Sequence, residues 1–100
     1  MSEKIIRINI MVITDDTFEW TERLMEDLPF AKTVKDKHTV TIRTKNFHFV
    51  IKNSFSVMCS AYKAQLIIVD KQISEAEQRR LDSSFCKNIT YTKKYIKKLA

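Results

Sequence analysis

The chain has 100 residues, of which 44% are hydrophobic and 30% charged, and its formal net charge at pH 7 is +6. These proportions are those of a globular protein, and the length predicts one domain, residues 1–100, that buries a core without a metal or a disulfide. The sequence contains no glycine. This excludes glycine-rich phosphate loops, dinucleotide-binding turns and the serine-hydrolase elbow, which need the backbone freedom of glycine.

The sequence shows no membrane span, no secretory leader and no metal-binding spacing of its cysteines. No apolar run reaches the length of a membrane span, and residues 1–6 lack the basic, apolar, then small-residue order of a secretory leader. We therefore expect a cytoplasmic protein with no membrane contact. Cys59 and Cys86 match no metal-ligand spacing, so we expect both to be small, buried or half-buried side chains. We expect no metal and no cofactor.

The N-terminal third predicts a strand followed by a helix. Isoleucine and valine recur at every second position of residues 4–13, which places them on one face of a strand, with Arg7, Asn9 and Met11 opposite. Asp16 stands three residues before Glu19, a capping pattern that predicts a helix from Thr17. Pro29 ends this helix, because the residue before a proline is disfavoured in the α conformation. The predicted inward stripe is Phe18, Trp20, Leu24, Met25 and Leu28.

The middle of the chain predicts a β-hairpin. Apolar residues alternate with polar ones over residues 39–43 and again over residues 47–52, with a turn at residues 44–46. One face of this hairpin is therefore expected to be buried and the other to face outward. Residues 54–64 fit either a short helix or a loop.

A buried strand and a second helix follow. Residues 66–69 are apolar throughout, as in a central strand covered on both faces, and Asp70 ends the run. Ser74 and Glu77 form a capping box, which predicts a helix opening at this point. The side chains expected to face inward from it are Ala76, Leu81 and Phe85.

The end of the chain predicts a last helix. Tyr91, Tyr95 and Leu99 recur at four-residue spacing, which is typical of one helix face. The complete order of elements predicts an α/β or α+β fold, with a mixed sheet of about four strands and two to three helices.

Asp70 is the one residue that suggests an enzyme site. In α/β proteins ligands bind at the carboxyl ends of strands, and a carboxylate there holds magnesium in phosphoryl-transfer enzymes. This chain has no phosphate loop, and Lys71 stands where a catalytic carboxylate would be needed. We therefore interpret Asp70 as the end of a strand and predict no catalytic residue. A nucleotide- or metal-binding remnant at Asp70 is the weakest alternative.

Two segments resemble parts of a known family. Residues 44–50 (TKNFHFV) and 62–70 (YKAQLIIVD) resemble the hairpin, the R-G-[YL]-[RK]-A-D segment and the Walker B strand of phage large-terminase ATPases. A similar segment occurs in small phage-encoded proteins that lack the rest of the ATPase. The chain departs from the pattern with Ser60-Ala61 for Arg-Gly, Gln65 for Asp and Lys71 for Glu. The resemblance implies a phage-like origin and a related sheet, without ATP hydrolysis.

Charge is unevenly distributed along the chain. Residues 1–30 hold 3 basic and 7 acidic side chains, residues 31–78 hold 8 and 4, and residues 79–100 hold 7 and 1. A basic segment with interleaved aromatic rings can follow a phosphate backbone and stack on bases. The candidate nucleic-acid-binding residues are Arg79, Arg80, Lys87, Tyr91, Lys93, Lys94, Lys97 and Lys98. The secondary candidates, on the outward side of the hairpin, are Arg43, Lys45, His48 and Lys52.

Three interpretations therefore remain open. We expect a phage-like accessory protein that binds nucleic acid or a nucleoprotein complex without catalysis, although the basic residues also fit a solvated face. The second hypothesis is an inhibitor of a host defence or replication enzyme that uses the acidic first helix or an apolar face. Trp20 is either its anchor or a buried side chain. The third is the remnant site at Asp70. The partner's identity and the oligomeric state are not predicted.

Overall fold

Six strands and two helices make up the described part of the chain. The computed structural model describes residues 7–36, 39–54, 64–84, 86 and 88–92. The elements in chain order are β1 (Ile8–Thr14), α1 (Thr17–Asp27), β2 (Lys32–Lys35), β3 (Thr39–Arg43), β4 (Phe47–Lys52), β5 (Leu66–Asp70), α2 (Glu75–Asp82) and β6 (Ile89–Tyr91). Neither of these helices is long and apolar enough to cross a membrane.

The strands form one mixed sheet in the order β2-β3-β4-β1-β5-β6. β1 pairs in parallel with both β4 and β5, and β5 pairs in parallel with β6. β2, β3 and β4 pair antiparallel. The fold is thus a small α+β domain, and the predicted mixed sheet is confirmed with six strands in place of about four. The two strands that sequence periodicity did not indicate are the short edge strands β2 and β6.

Hydrophobic cores lie on both faces of the sheet. On the face that we call the α1 face, Trp20 and Leu24 of α1 pack against a cluster that includes Ile10 and Val12 of β1. On the opposite face, the α2 face, Leu81 of α2 packs against a cluster formed with β1 and β5. Successive residues of β1 therefore point into different cores, which explains why its buried stretch, residues 10–14, is continuous.

Helix α1 begins where its capping residue predicts. The Asp16 carboxylate accepts a hydrogen bond from the Glu19 backbone N–H at 2.9 Å, and the helix starts at Thr17. The prediction that Phe18 faces inward is wrong, because its side chain is 64% exposed. Buried Thr21 lies near the middle of the inward stripe, and Phe18 lies about 60° to one side of it at 100° per residue.

Helix α2 also begins at its predicted cap. The Ser74 hydroxyl accepts from the Glu77 backbone N–H at 3.2 Å, and Leu81 is fully buried as expected. The prediction that Ala76 faces inward is wrong, because this residue is exposed. Five residues of helix separate it from Leu81 by about 140°, so the two cannot share one face. The predicted contact of Phe85 lies outside the described residues.

The remaining predictions divide between those the structure tests and those it does not. The hairpin is confirmed as β3 and β4, and β5 is an internal strand between β1 and β6. The prediction that Tyr91 opens a helix is wrong, since Tyr91 ends strand β6 and pairs with Val69. Cys86 is half-buried, as expected. The predictions for residues 4–6, Cys59, most of residues 54–64 and residues 93–99 lie outside the described residues.

Candidate nucleic-acid interface

Asp70 joins three separate parts of the fold. It lies at the carboxyl end of β5, next to Thr14 at the end of β1. Its Oδ2 accepts a hydrogen bond from the Trp20 indole N–H at 2.6 Å, and its Oδ1 accepts one from the Thr92 hydroxyl at 2.5 Å. The carboxylate therefore holds α1 and the segment after β6 against the end of β5. This arrangement gives Asp70 a structural role, and it also gives Trp20 a half-buried polar partner.

Lys71 occupies the neighbouring crevice. The order of the parallel strands has a topological switch point at β1. β4 lies on one side of β1, and β5, the next strand along the chain, lies on the other side. Such a switch point is the usual ligand crevice of open parallel sheets. Here the Lys71 ammonium donates to the Asn53 carbonyl at 2.8 Å and lies 3.5 Å from Asp15, with its side chain only 13% exposed. The Asp15 carboxylate and the Asn53 carbonyl thus stabilise the positive charge of Lys71.

The acidic and sulfur-containing side chains that the structure describes do not assemble into a metal site. Among the residues that the structure describes, no three His, Cys, Asp or Glu side chains are grouped so that they could hold a metal ion. Asp70 contacts tryptophan and threonine, and Asp15 faces lysine. The side chains of the crevice therefore link structural elements to one another through hydrogen bonds and an ion pair.

A row of polar and basic side chains crosses the α2 face of the sheet. Lys32 of β2 lies opposite Arg43 of β3, Arg43 lies opposite His48 of β4, and His48 lies beside Asn9 of β1. Residues paired in this way point to the same side of a sheet. Adjacent strands are about 4.8 Å apart, so Lys32, Arg43 and His48, here called the basic row, span about 10 Å.

The basic row lies on a part of the sheet that neither described helix covers. The core on the α2 face consists of residues from β1, β5, β6, α2 and their connections, with none from β2 to β4. α1 packs on the opposite face, where it contacts β3 and β4. Lys32, Val34 and Arg43 are exposed, while His48 is half-buried. The antiparallel strands therefore present a cationic surface on this side.

His48 is the uncharged member of the row at neutral pH. Burial is the main cause that lowers its pKa below the usual 6.5, and the positive charges of Arg43 and Arg7 lower it further. Arg7, one of these two charges, is exposed just before β1. A neutral imidazole carries one donor and one acceptor and has a flat ring, while the surrounding cations carry the charge.

The secondary candidates are divided between two surfaces. Arg43 and His48 belong to the basic row, and Lys52 lies farther along the same face, paired with Thr39. Lys45 lies in the turn between β3 and β4 and lines a separate pocket with Leu28. The structure therefore brings Arg43 and His48 together and places Lys45 elsewhere.

The C-terminal candidates are only partly described. Arg79 and Arg80 are exposed on α2, and the Arg79 guanidinium forms an ion pair with Glu75 at 2.9 Å. Tyr91 is half-buried against the core, and its hydroxyl accepts a hydrogen bond from Gln78 Nε2 at 2.6 Å. The other members, Lys87, Lys93, Lys94, Lys97 and Lys98, lie outside the described residues, and their role stays a prediction.

Two members of the cationic surface did not emerge from the sequence. Lys32 lies on a four-residue strand, too short for a clear alternation, and Arg7 lies just before β1. The position of each residue near the row depends on which strands pair. Lys32 joins the row because β2 lies beside β3, and Arg7 is near it because β1 lies beside β4. Alternation over residues 4–13 does place Arg7 on the face opposite Ile6 and Ile8, but it does not indicate which strand lies beside that face.

Comparison with family models, curated proteins and solved structures finds no match for this chain. The resemblance to terminase-like phage proteins therefore remains a prediction from the residues that carry it.

Proposed function

We propose that this protein binds nucleic acid or a nucleoprotein complex without catalysis, as a cytoplasmic, phage-like accessory protein. The observation that supports the proposal is the register of the basic row, which aligns Lys32, Arg43 and His48 on one face of the sheet. Arg7 adds a further positive charge beside His48. Clustered cations of this kind attract phosphates.

A single strand fits this surface better than a duplex. Reading the major groove of duplex DNA requires a protruding helix or a two-stranded ribbon, whereas an open sheet can contact bases that are already unstacked. The cations Lys32 and Arg43 would contact phosphates, and the neutral His48 ring would stack on a base or hydrogen-bond to its edge. Lys93, Lys94, Lys97 and Lys98 would extend the contact along the backbone.

Fluorescence anisotropy with labelled single-stranded DNA, duplex DNA and RNA, measured over a salt series, tests the proposal. We expect micromolar or tighter binding to a single strand that persists at physiological salt, with affinity that falls linearly on a log–log salt plot. Binding that disappears above low salt would identify the charge as a solvated face and would contradict the proposal.

A matched pair of variants on one strand locates the site. Lys32 and Lys35 both lie on β2, but Lys32 is in the basic row and Lys35 lines a groove against α1 on the other face. Lys32→Glu should weaken binding clearly more than Lys35→Glu, although the change in net charge is the same. Equal losses would indicate attraction to the overall charge alone.

The C-terminal segment is tested separately. Reversing the charge of Lys93, Lys94, Lys97 and Lys98 to glutamate should abolish binding without lowering the melting temperature, if the segment and the sheet bind the same strand. Unchanged affinity in that variant would remove these lysines from the site and leave the basic row as the proposed contact.

The inhibitor hypothesis is the second candidate, and exposed aromatic side chains favour it. Phe18 is 64% exposed and Phe30 is 98% exposed, both on or beside the acidic helix α1. An interface with an apolar centre is much less sensitive to salt than phosphate binding. Binding to a host defence or replication enzyme that persists at high salt would support it.

A further inference from the structure

A groove lies between helix α1 and the edge strand β2, on the sheet face opposite the basic row. Its volume is about 520 Å³, and its lining residues are Phe18, Thr21, Glu22, Met25, Glu26, Thr33 and Lys35. The groove arises because the inward stripe of α1 packs over β3 and β4, which leaves the flank of the helix facing β2 unfilled.

The lining combines apolar side chains with two carboxylates from α1 and one ammonium group, that of Lys35, from β2. Phe18 and Met25 supply the apolar surface, and the Thr33 hydroxyl donates to the Met25 sulfur at 2.8 Å, which fixes the helix against β2. Glu22 and Glu26 are exposed and stand one helical turn apart on the same side. Two carboxylates at this spacing can pair with two cations of one bound segment.

The net charge of helix α1 determines whether the ligand in the groove is a cation or an anion. The α1 segment carries one basic side chain, Arg23. Its acidic side chains, with those just before it, are Asp15, Asp16, Glu19, Glu22, Glu26 and Asp27. The negative electrostatic potential around these acidic side chains repels a polyanion and attracts a cation. A nucleic acid on the basic row and a ligand in the groove must therefore differ in chemistry.

We infer that this groove binds a basic segment of a partner protein, with one apolar side chain of the segment seated against Phe18 and Met25. Lysine or arginine residues flanking that anchor pair with Glu22 and Glu26. An aromatic ring exposed beside a concave apolar surface is the kind of contact that dominates binding energy at interfaces. Because proteins that accompany nucleic acids are commonly basic, both faces could serve within one assembly.

The experiment uses the full chain, without nucleic acid, and a fluorescein-labelled peptide of sequence KRKLFKRK. We expect a Kd on the order of 10 µM by anisotropy, with shifts of the Met25 methyl resonance on titration. A peptide with Ser-Ser in place of Leu-Phe should bind about tenfold more weakly, as should the labelled peptide to Phe18→Ser. Absence of binding would overturn the assignment.

A charge-matched pair of double variants separates the groove from general attraction. Glu22→Gln with Glu26→Gln should weaken peptide binding by about tenfold, while Glu19→Gln with Asp27→Asn should change it less than about twofold. The second pair removes the same charge from the same helix outside the groove. Equal losses in both double variants would overturn a specific site.

Two further outcomes would replace the partner protein by another occupant. If the Met25 methyl resonance of the free protein moves when Lys93, Lys94, Lys97 and Lys98 are changed to glutamate, the groove holds the chain's own basic segment. If it moves with protein concentration, the groove holds a second copy. Either result would overturn the assignment, and neither depends on whether the basic row binds nucleic acid.

Discussion

The two halves of the sheet differ in how their side chains are used. In the parallel half, β1 and β5 are covered on both faces, and Met11, Val12, Ile13 and Val69 are almost wholly buried. In the antiparallel half, the described residues cover β2 and β3 on the α1 face alone, and the other face of these strands carries exposed Lys32, Val34 and Arg43. The first half is buried on both faces, whereas the second contributes buried side chains on the α1 face and presents a surface on the other.

This difference explains where function is to be sought. A strand buried on both faces cannot change its side chains without creating a cavity, whereas alternation leaves every second residue available for contact. The carboxyl ends of the parallel strands, the usual ligand site, are held by Asp70 and Lys71 through bonds within the protein. The distinctive charged surfaces accordingly lie on and beside the antiparallel strands.

The largest effect is expected from a cavity in the parallel half. Ile67→Ala removes a fully buried side chain of β5 and should lower the free energy of unfolding by about 2–5 kcal/mol. The matched change Val34→Ala in β2 should alter it by no more than about 0.5 kcal/mol, because Val34 is exposed. Urea denaturation measures both values. Equal losses would contradict the division of the sheet into a half buried on both faces and a half exposed on one.

Asp70→Ala should have the next largest effect. It removes the acceptor of the Trp20 indole N–H and one of the two acceptors of the Thr92 hydroxyl, which keeps the Val69 carbonyl at 3.2 Å. The loss should cost about 1–3 kcal/mol of unfolding free energy. Trp20 fluorescence should change in the folded state, since the indole loses this bond. Nucleic-acid affinity should stay the same. A variant of full stability that lost magnesium- or nucleotide-dependent stabilisation would support the remnant site instead.

Arg43→Ala should affect binding but not folding. The log–log salt dependence of single-strand affinity should lose about one unit of slope if Arg43 contacts one phosphate. The free energy of unfolding should change by less than about 0.5 kcal/mol, since Arg43 is exposed. Arg23→Ala on the outer side of α1 is the control. An unchanged slope in Arg43→Ala would remove this residue from the interface.

The smallest effect is the pH dependence that comes from His48. Its pKa is lower in the folded protein than the ordinary 6.5, so the unfolded chain binds more protons in acid. The stability that this residue contributes is thus present above pH 6.5 and lost as the pH falls through its folded-state pKa. Single-strand affinity should rise over the same interval, because the imidazolium adds a positive charge to the row.

His48→Gln should remove the His48 component from both pH profiles, and it should also weaken single-strand binding at neutral pH, because the ring that stacks on a base is lost. Thermal denaturation and anisotropy between about pH 5 and pH 8 measure the two profiles. If wild type and His48→Gln show identical profiles, the pKa of His48 is not lowered by burial and by Arg43 and Arg7, and His48 does not belong to the interface.

The sequence by itself determined the local features of this protein. The capping residues Asp16 and Ser74 begin the helices where they were expected, because a cap acts on backbone groups only three residues away. Alternation over residues 39–52 predicted the hairpin, and the apolar run before Asp70 predicted an internal strand. The absence of glycine excluded the glycine-dependent nucleotide sites.

Only the tertiary structure decided which elements lie side by side. Pairing of β1 with β4 and β5, alignment of Lys32 with Arg43, and the bond of Asp70 to a tryptophan fifty residues earlier all join distant parts of the chain. Periodicity predicts which side chains share a face but not which strand lies beside them. Both the basic row and the α1–β2 groove exist because of that lateral packing.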